Sequence, residues 1–161
     1  MAFANFAKVN FLGVGGVLMF DYPSYLEKLT DGEPVNNPFL DFLGIQVEEI
    51  REGYARFSME IMPEFLQGAG IMQGGLSIAL SSEAAAHAVM TTLSSGENIT
   101  TIELKNNFLS MASRGRLTAE ATVFKRGRVL VIVDSIVRDD QGKAISRSSA
   151  TLMVVSGDSM K

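Results

Sequence analysis

The chain of 161 residues has no cysteine, no tryptophan and a single histidine, His87. Without cysteine there is no disulfide framework, no thiolate nucleophile and no cysteine metal site. With one histidine there is no multi-histidine metal centre within one chain, so neither a metal nor a cofactor is expected. Charge is sparse at 20% of residues against 47% hydrophobic, the balance of a folded globular domain rather than a disordered one. A membrane-length apolar run is also missing. The stretch Phe11–Phe20 is shorter than the ~20 residues a spanning helix needs. Asp21-Tyr22-Pro23 follows it, not the small-x-small pattern of a signal cleavage site. No membrane association is expected, and cytoplasm is the default compartment.

There is no basic excess either. The net charge of −4 argues against nucleic acid as a partner. The charge is uneven, however. Residues 1–100 carry 4 basic and 12 acidic side chains, whereas residues 101–161 carry 10 basic and 6 acidic. The basic C-terminal part suits either solvated strand faces or a local anionic ligand.

What is present reads as two strands, one long helix and four strands. Residues 1–36 form an N-terminal extension, with a short helix over Tyr25–Leu29 capped by Ser24. Residues 37–157 form the folded domain. Phe39–Gly44 reads as one helical turn ended by its glycine. Ile45–Arg51 and Tyr54–Met62 alternate apolar and polar residues about Glu52-Gly53, which is a hairpin. Gly74–Leu93 is a helix of small, weakly polar residues, suited to enclosure by a curved sheet. Asn98–Met111, Leu117–Arg126, Arg128–Asp139 and Lys143–Val155 are strands joined by short turns. A helix inside an antiparallel meander predicts an α+β fold of about six strands wrapped around one long central helix.

The chemistry concentrates in Gln67–Ala88. Four glycines (Gly68, Gly70, Gly74, Gly75) precede a helix start, where bare backbone amides and the helix dipole favour negative charge. Two adjacent glycines there cost stability. They serve either close helix–sheet packing or a ligand at the amides.

Three local patterns carry a resemblance: Gly70-Ile71-Met72-Gln73-Gly74-Gly75, Thr101-Ile102-Glu103-Leu104-Lys105-Asn106-Asn107-Phe108-Leu109, and the spaced turns at Gly115, Gly127 and Gly142. Over about residues 38–156 the chain resembles the hotdog-fold thioesterases of the phenylacetate-degradation (PaaI-like) type. The resemblance implies a homodimer or a dimer of dimers (homotetramer), with sites where the helix start of one subunit meets strands of the other. It implies hydrolysis of an acyl-CoA thioester by water. Gly74 and Gly75 would hold the oxyanion, and Gln73 stands where the family has histidine. Gln67 stands at a family Asn/Gln position that holds water or the thioester carbonyl. Thr101 matches a strand position that supplies a hydroxyl near the water.

The family's catalytic acid falls at Ser82, and the neighbouring Glu83 is shifted ~100° around the helix. Either Glu83 acts as the base, with His87 at i+4 as a partner, or Ser82 and the glutamines only position substrate. In the second case the protein binds acyl-CoA as a non-catalytic or scaffold protein. Of the basic residues at strand ends, which include Arg114 and Arg116, the cluster Lys125, Arg126 and Arg128 is the candidate for the CoA phosphates. Phe39, Phe42, Phe108 and residues 1–22 are candidate pocket walls.

Overall fold

A computed structural model describes residues 21–156. The expectations for the N-terminal run therefore lie outside the described residues. Helix α1 covers Tyr22–Thr30. Its cap is Asp21, whose carboxylate accepts from the Ser24 N–H at 3.3 Å. This corrects the assignment of the cap to Ser24. Pro23 sits in the first turn, where a missing N–H is harmless, and that starts the helix earlier. Helix α2, Pro38–Leu43, is capped by Asn37 and ended by Gly44 at φ 63°, the left-handed stop its sequence predicts.

Strands β1 (Gln46–Arg51) and β2 (Tyr54–Glu60) form the predicted hairpin. A 3₁₀ turn at Pro63–Phe65 leads to the glycine loop. Helix α3 runs Gly74–Met90, three residues shorter than the sequence pattern suggests. The hydroxyls of Thr91 and Thr92 donate to the carbonyls of Ala88 and Val89 at 2.7 and 2.8 Å and close the last turn. Thr91 Oγ1 also accepts from the Gly53 N–H at 2.8 Å, which ties the end of α3 to the β1–β2 turn.

Strands β3 (Glu97–Phe108), β4 (Arg116–Arg126), β5 (Leu130–Asp139) and β6 (Ala144–Ser156) complete one sheet in the order β1-β2-β4-β5-β6-β3. All neighbours are antiparallel. The chain leaves β2, crosses the sheet along α3 and enters β3 at the opposite edge. The α+β arrangement of six strands around a central helix is thus as the sequence predicts.

α3 lies chiefly over β2, β4 and β5. Ala84 and Ala88 on the helix and Ala119 and Ala121 on β4 are fully buried, so the small side chains let backbone approach backbone. Phe57, Met59, Leu80, Leu117 and Val131 fill the remaining space. Each contributes on the order of 2–3 kcal/mol by leaving water.

Four backbone hydrogen bonds fix where the site forms. Met72 N donates to Ala112 O at 2.8 Å, Gln73 N to Phe65 O at 2.9 Å, Leu109 N to Ile145 O at 2.8 Å and Ile61 N to Gly115 O at 2.9 Å. They gather the glycine loop, the β3–β4 connection and the start of β6 at one end of the sheet.

Candidate active site

These three segments enclose a cavity of about 470 Å³ at the N-terminus of α3. It is lined by Gln67, Gln73, Gly74, Gly75, Ser77 and Ser110 on the polar side. Ile71, Met72, Phe108, Met111, Ala112 and Ile145 form the apolar side. Among the described residues, none of those lining it is charged or titratable near neutral pH.

The two glutamines are held alike. Gln67 Oε1 accepts from the Ala69 N–H, and Gln73 Oε1 from the Gly74 N–H, each at 2.9 Å. With the oxygens occupied, the carboxamide NH₂ ends are left to donate. Gly75 is one residue further into the helix start. Its N–H makes no hydrogen bond among the described residues, since no carbonyl lies one turn before it inside the helix.

The two adjacent glycines have different reasons. A Cβ at Gly74 would meet the Phe108 ring at 2.8 Å, so that glycine lets the ring lie against the helix. A Cβ at Gly75 would meet nothing within 4 Å. Packing therefore does not require glycine at 75, and the space before its N–H is open. What the cavity can do is orient a carbonyl and stabilise negative charge on its oxygen.

The other expected residues lie elsewhere. Ser82 and Glu83 are half-buried on α3 and do not line the cavity. Glu83 is eight residues from Gly75, about 12 Å along the helix. Thr101 is exposed on β3, opposite Leu152 at an irregularity in the strand pairing. It is seven residues, or about 23 Å of strand, from Phe108. Lys125, Arg126 and Arg128 sit at the end of β4 away from the cavity. Arg126 is committed to Glu97 at 3.0 Å and to the Gly127 carbonyl, whereas Lys125 and Arg128 are exposed. Arg116 pairs with Glu48 at 2.6 Å and bonds Gln46 and Ser58, so it joins β1, β2 and β4. Of the expected walls, Phe108 lines the cavity. Phe39 and Phe42 are exposed on α2, and Phe42 lines a separate cleft with Met62 and Phe65. Among the described residues no three His, Cys, Asp or Glu side chains could hold a metal ion.

Sequence reasoning missed Ser77, Ser110, Met111, Ala112 and Ile145. Ser110 to Ala112 stand in a connection whose approach to the loop depends on the Met72–Ala112 hydrogen bond, which no local pattern encodes.

His87 belongs to the core instead. It is 1% exposed and packs edge-on against Phe57 at 4.6 Å between ring centroids. Its Nδ1 donates to the Glu83 carbonyl at 2.8 Å. That leaves Nε2 to accept from the Tyr25 hydroxyl at 3.0 Å, and Tyr25 in turn accepts from Asn37 Nδ2 at 3.0 Å. Burial lowers the His87 pKa to about 4, so the ring is neutral near pH 7. The Glu83 carboxylate, 3.8 Å from Nδ1, therefore faces a neutral ring and the contact is not an ion pair at that pH.

Burial raises the Glu83 pKa above the ordinary carboxylate value. A carboxyl whose folded-state pKa is raised adds stability that is full below the unfolded value and is lost as pH rises through the folded one. Glu83→Gln should therefore stabilise the fold at pH 7, with the difference from wild type vanishing below pH ~4. Urea denaturation at a series of pH values reads this directly. A variant no more stable than wild type at pH 7 would show that Glu83 is not desolvated.

Known proteins resemble this chain in sequence and in fold. The sequence profile described as "Thioesterase superfamily" matches residues 69–146. A Saccharolobus solfataricus protein named "Putative esterase" is 31% identical over 114 residues, which span 71% of this chain and 75% of that protein. The 1,4-dihydroxy-2-naphthoyl-CoA hydrolase of Listeria monocytogenes is 24% identical over 112 residues, 70% of this chain and 91% of that one. The crystal structure of a phenylacetic acid degradation-related protein of Ralstonia eutropha superposes with a TM-score of 0.74 at 27% identity. The match covers 80% of this chain and 98% of that one.

Proposed function

Because this chain belongs to the thioesterase superfamily, we propose that it hydrolyses an acyl-CoA thioester to the free acid and CoA. The observation that carries this reading is the open, unengaged N–H of Gly75 beside two oriented carboxamides in a cavity without charged side chains. The thioester carbonyl would enter over Gly75, where no side chain obstructs it. Its oxygen would take hydrogen bonds from the Gly75 N–H and from the NH₂ of Gln67 or Gln73. As water adds, charge develops on that oxygen and these donors strengthen. One such donor is worth roughly 3–4 kcal/mol in the transition state. Gln73 can donate where histidine would, but it cannot carry a proton.

Water activation needs a base, and Glu83 is the only carboxylate on α3. Its raised pKa suits the role. It is too far along the helix to serve the cavity at its own helix start. It would act in the cavity of a second copy, in a homodimer or dimer of dimers. A soluble enzyme of the cytoplasm, acting on acyl-CoA, is the setting this reading implies.

The lack of any carboxylate or imidazole among the lining residues favours a second reading, in which the chain binds acyl-CoA with little turnover. A panel of acyl-CoA esters assayed with a thiol-reactive dye separates the two. Hydrolysis should appear with at least one ester, and Gln67→Ala should lower kcat/KM about 10²-fold by loss of one donor. Thermal stabilisation by acyl-CoA with no thiol release from any ester would leave only the binding reading.

A further inference from the structure

The cavity walls also restrict the acyl group. Beyond the glutamines, the two glycines, Ser77 and Ser110, the lining is Ile71, Met72, Phe108, Met111, Ala112 and Ile145. No charged side chain lines it among the described residues. We infer that the acyl group accepted here is uncharged and apolar beyond its carbonyl, and that Phe108 sets its size. This inference rests on the reading of the cavity as a thioester site.

The physical ground is desolvation. A carboxylate at the far end of the acyl group would lose its hydration against these walls with no cation among this chain's lining residues to replace it. An alkyl or aryl group of the same length loses only unfavourable contact with water, and gains about fourfold in affinity for each methylene buried.

Phe108 is singled out by how it is held. It is the last residue of β3. The N–H groups of Leu109 and Ser110 both donate to the Ile145 carbonyl, at 2.8 and 3.2 Å, so the backbone beyond it is fixed. The ring itself is 60% exposed and lies against Gly74. It is a wall of the cavity without being part of the core, so shortening it enlarges the cavity without emptying the interior.

The test uses thioethers, which bind but cannot be hydrolysed. S-hexyl-CoA and S-(5-carboxypentyl)-CoA carry chains of equal carbon number that end in a methyl group and in a carboxylate, respectively. Calorimetric titration should show the hexyl compound binding at least about 30-fold more tightly. A ratio near one overturns the inference. Met111→Arg alters a side chain that is 71% exposed and should be tolerated. It should restore binding of the carboxypentyl compound about tenfold or more, and no gain counts against the inference. Phe108→Ala should move the best-bound S-alkyl chain at least two carbons longer. An unchanged order of chain lengths removes Phe108 from the role. If neither thioether binds, the inference falls together with the thioester reading. If the selectivity appears but hexanoyl-CoA is not hydrolysed, hydrolysis alone falls and the selectivity stands.

Discussion

Gly75→Ala should make the protein more stable and nearly inactive. Alanine fits at 75, since its Cβ meets nothing within 4 Å and the residue is not among the glycines with positive φ. Replacing a helical glycine by alanine stabilises by about 0.5–1 kcal/mol. The melting temperature should accordingly rise by about 1–4 °C. The same methyl group stands in the open space over the N–H that the thioester carbonyl must reach. Loss of that donor should lower kcat/KM about 10²–10³-fold. Melting and thiol release on one preparation would show both effects. Activity within threefold of wild type would mean that Gly75 is not where the oxyanion forms. Gly74→Ala is the contrasting variant. Its methyl group displaces the Phe108 ring and reshapes the cavity, so it should alter acyl preference more than the chemical step.

His87 is expected to dominate stability, although its residue type suggests catalysis. His87→Ala would empty a core position beside Phe57 and remove the ring nitrogen to which the Tyr25 hydroxyl donates, while the Asn37 bond to that hydroxyl remains. The combined loss should be about 3–4 kcal/mol, or roughly 10 °C in melting temperature.

The same residue gives a pH signature. Its pKa falls from 6.5 in the unfolded chain to about 4 in the fold. The unfolded state therefore binds more protons between those values. The stability contributed by the neutral ring is full above pH 6.5 and is lost as pH falls towards 4, about 3 kcal/mol in all. Glu83, raised by burial, works in the opposite sense and offsets part of the loss. His87→Gln should be less stable at pH 7, yet it should lack most of the slope between pH 6.5 and 4. Denaturant unfolding at pH 7, 6, 5 and 4 checks this. A slope unchanged in the variant would show that the ring does not titrate as its burial requires.

His87 shows why a residue type alone misleads. In the sequence it lies one turn past Glu83, which suggests an acid–base pair. The fold brings the Tyr25 hydroxyl from α1 onto the ring, and Asn37 from the cap of α2 onto that hydroxyl. The ring's Nδ1 is then used on the Glu83 carbonyl within α3 and its Nε2 on Tyr25, which ties α1 to α3. Tyr25 lies 62 residues before His87, so the local sequence contains no trace of it. The basic cluster behaves similarly. Arg126 is spaced like a phosphate ligand but meets Glu97 across the sheet.

The sequence by itself determined the elements and the loop. Alternation with a period of two marked the strands, Gly44 and Gly53 marked their breaks, and small residues marked a helix meant for close packing. Gln67, Gln73, Gly74 and Gly75 were legible as one group, and line one cavity, because they are parts of a single loop and helix start. Only the tertiary structure decided what differs between those neighbours. It placed the Phe108 ring against Gly74 and left space before Gly75. It also separated Thr101, Glu83 and the β4 cations from the cavity of their own chain. The physical reason is range. Turn chemistry and hydrophobic period act over a few residues. The walls of the cavity are set by hydrogen bonds such as those of Met72 with Ala112 and Leu109 with Ile145, which join segments tens of residues apart.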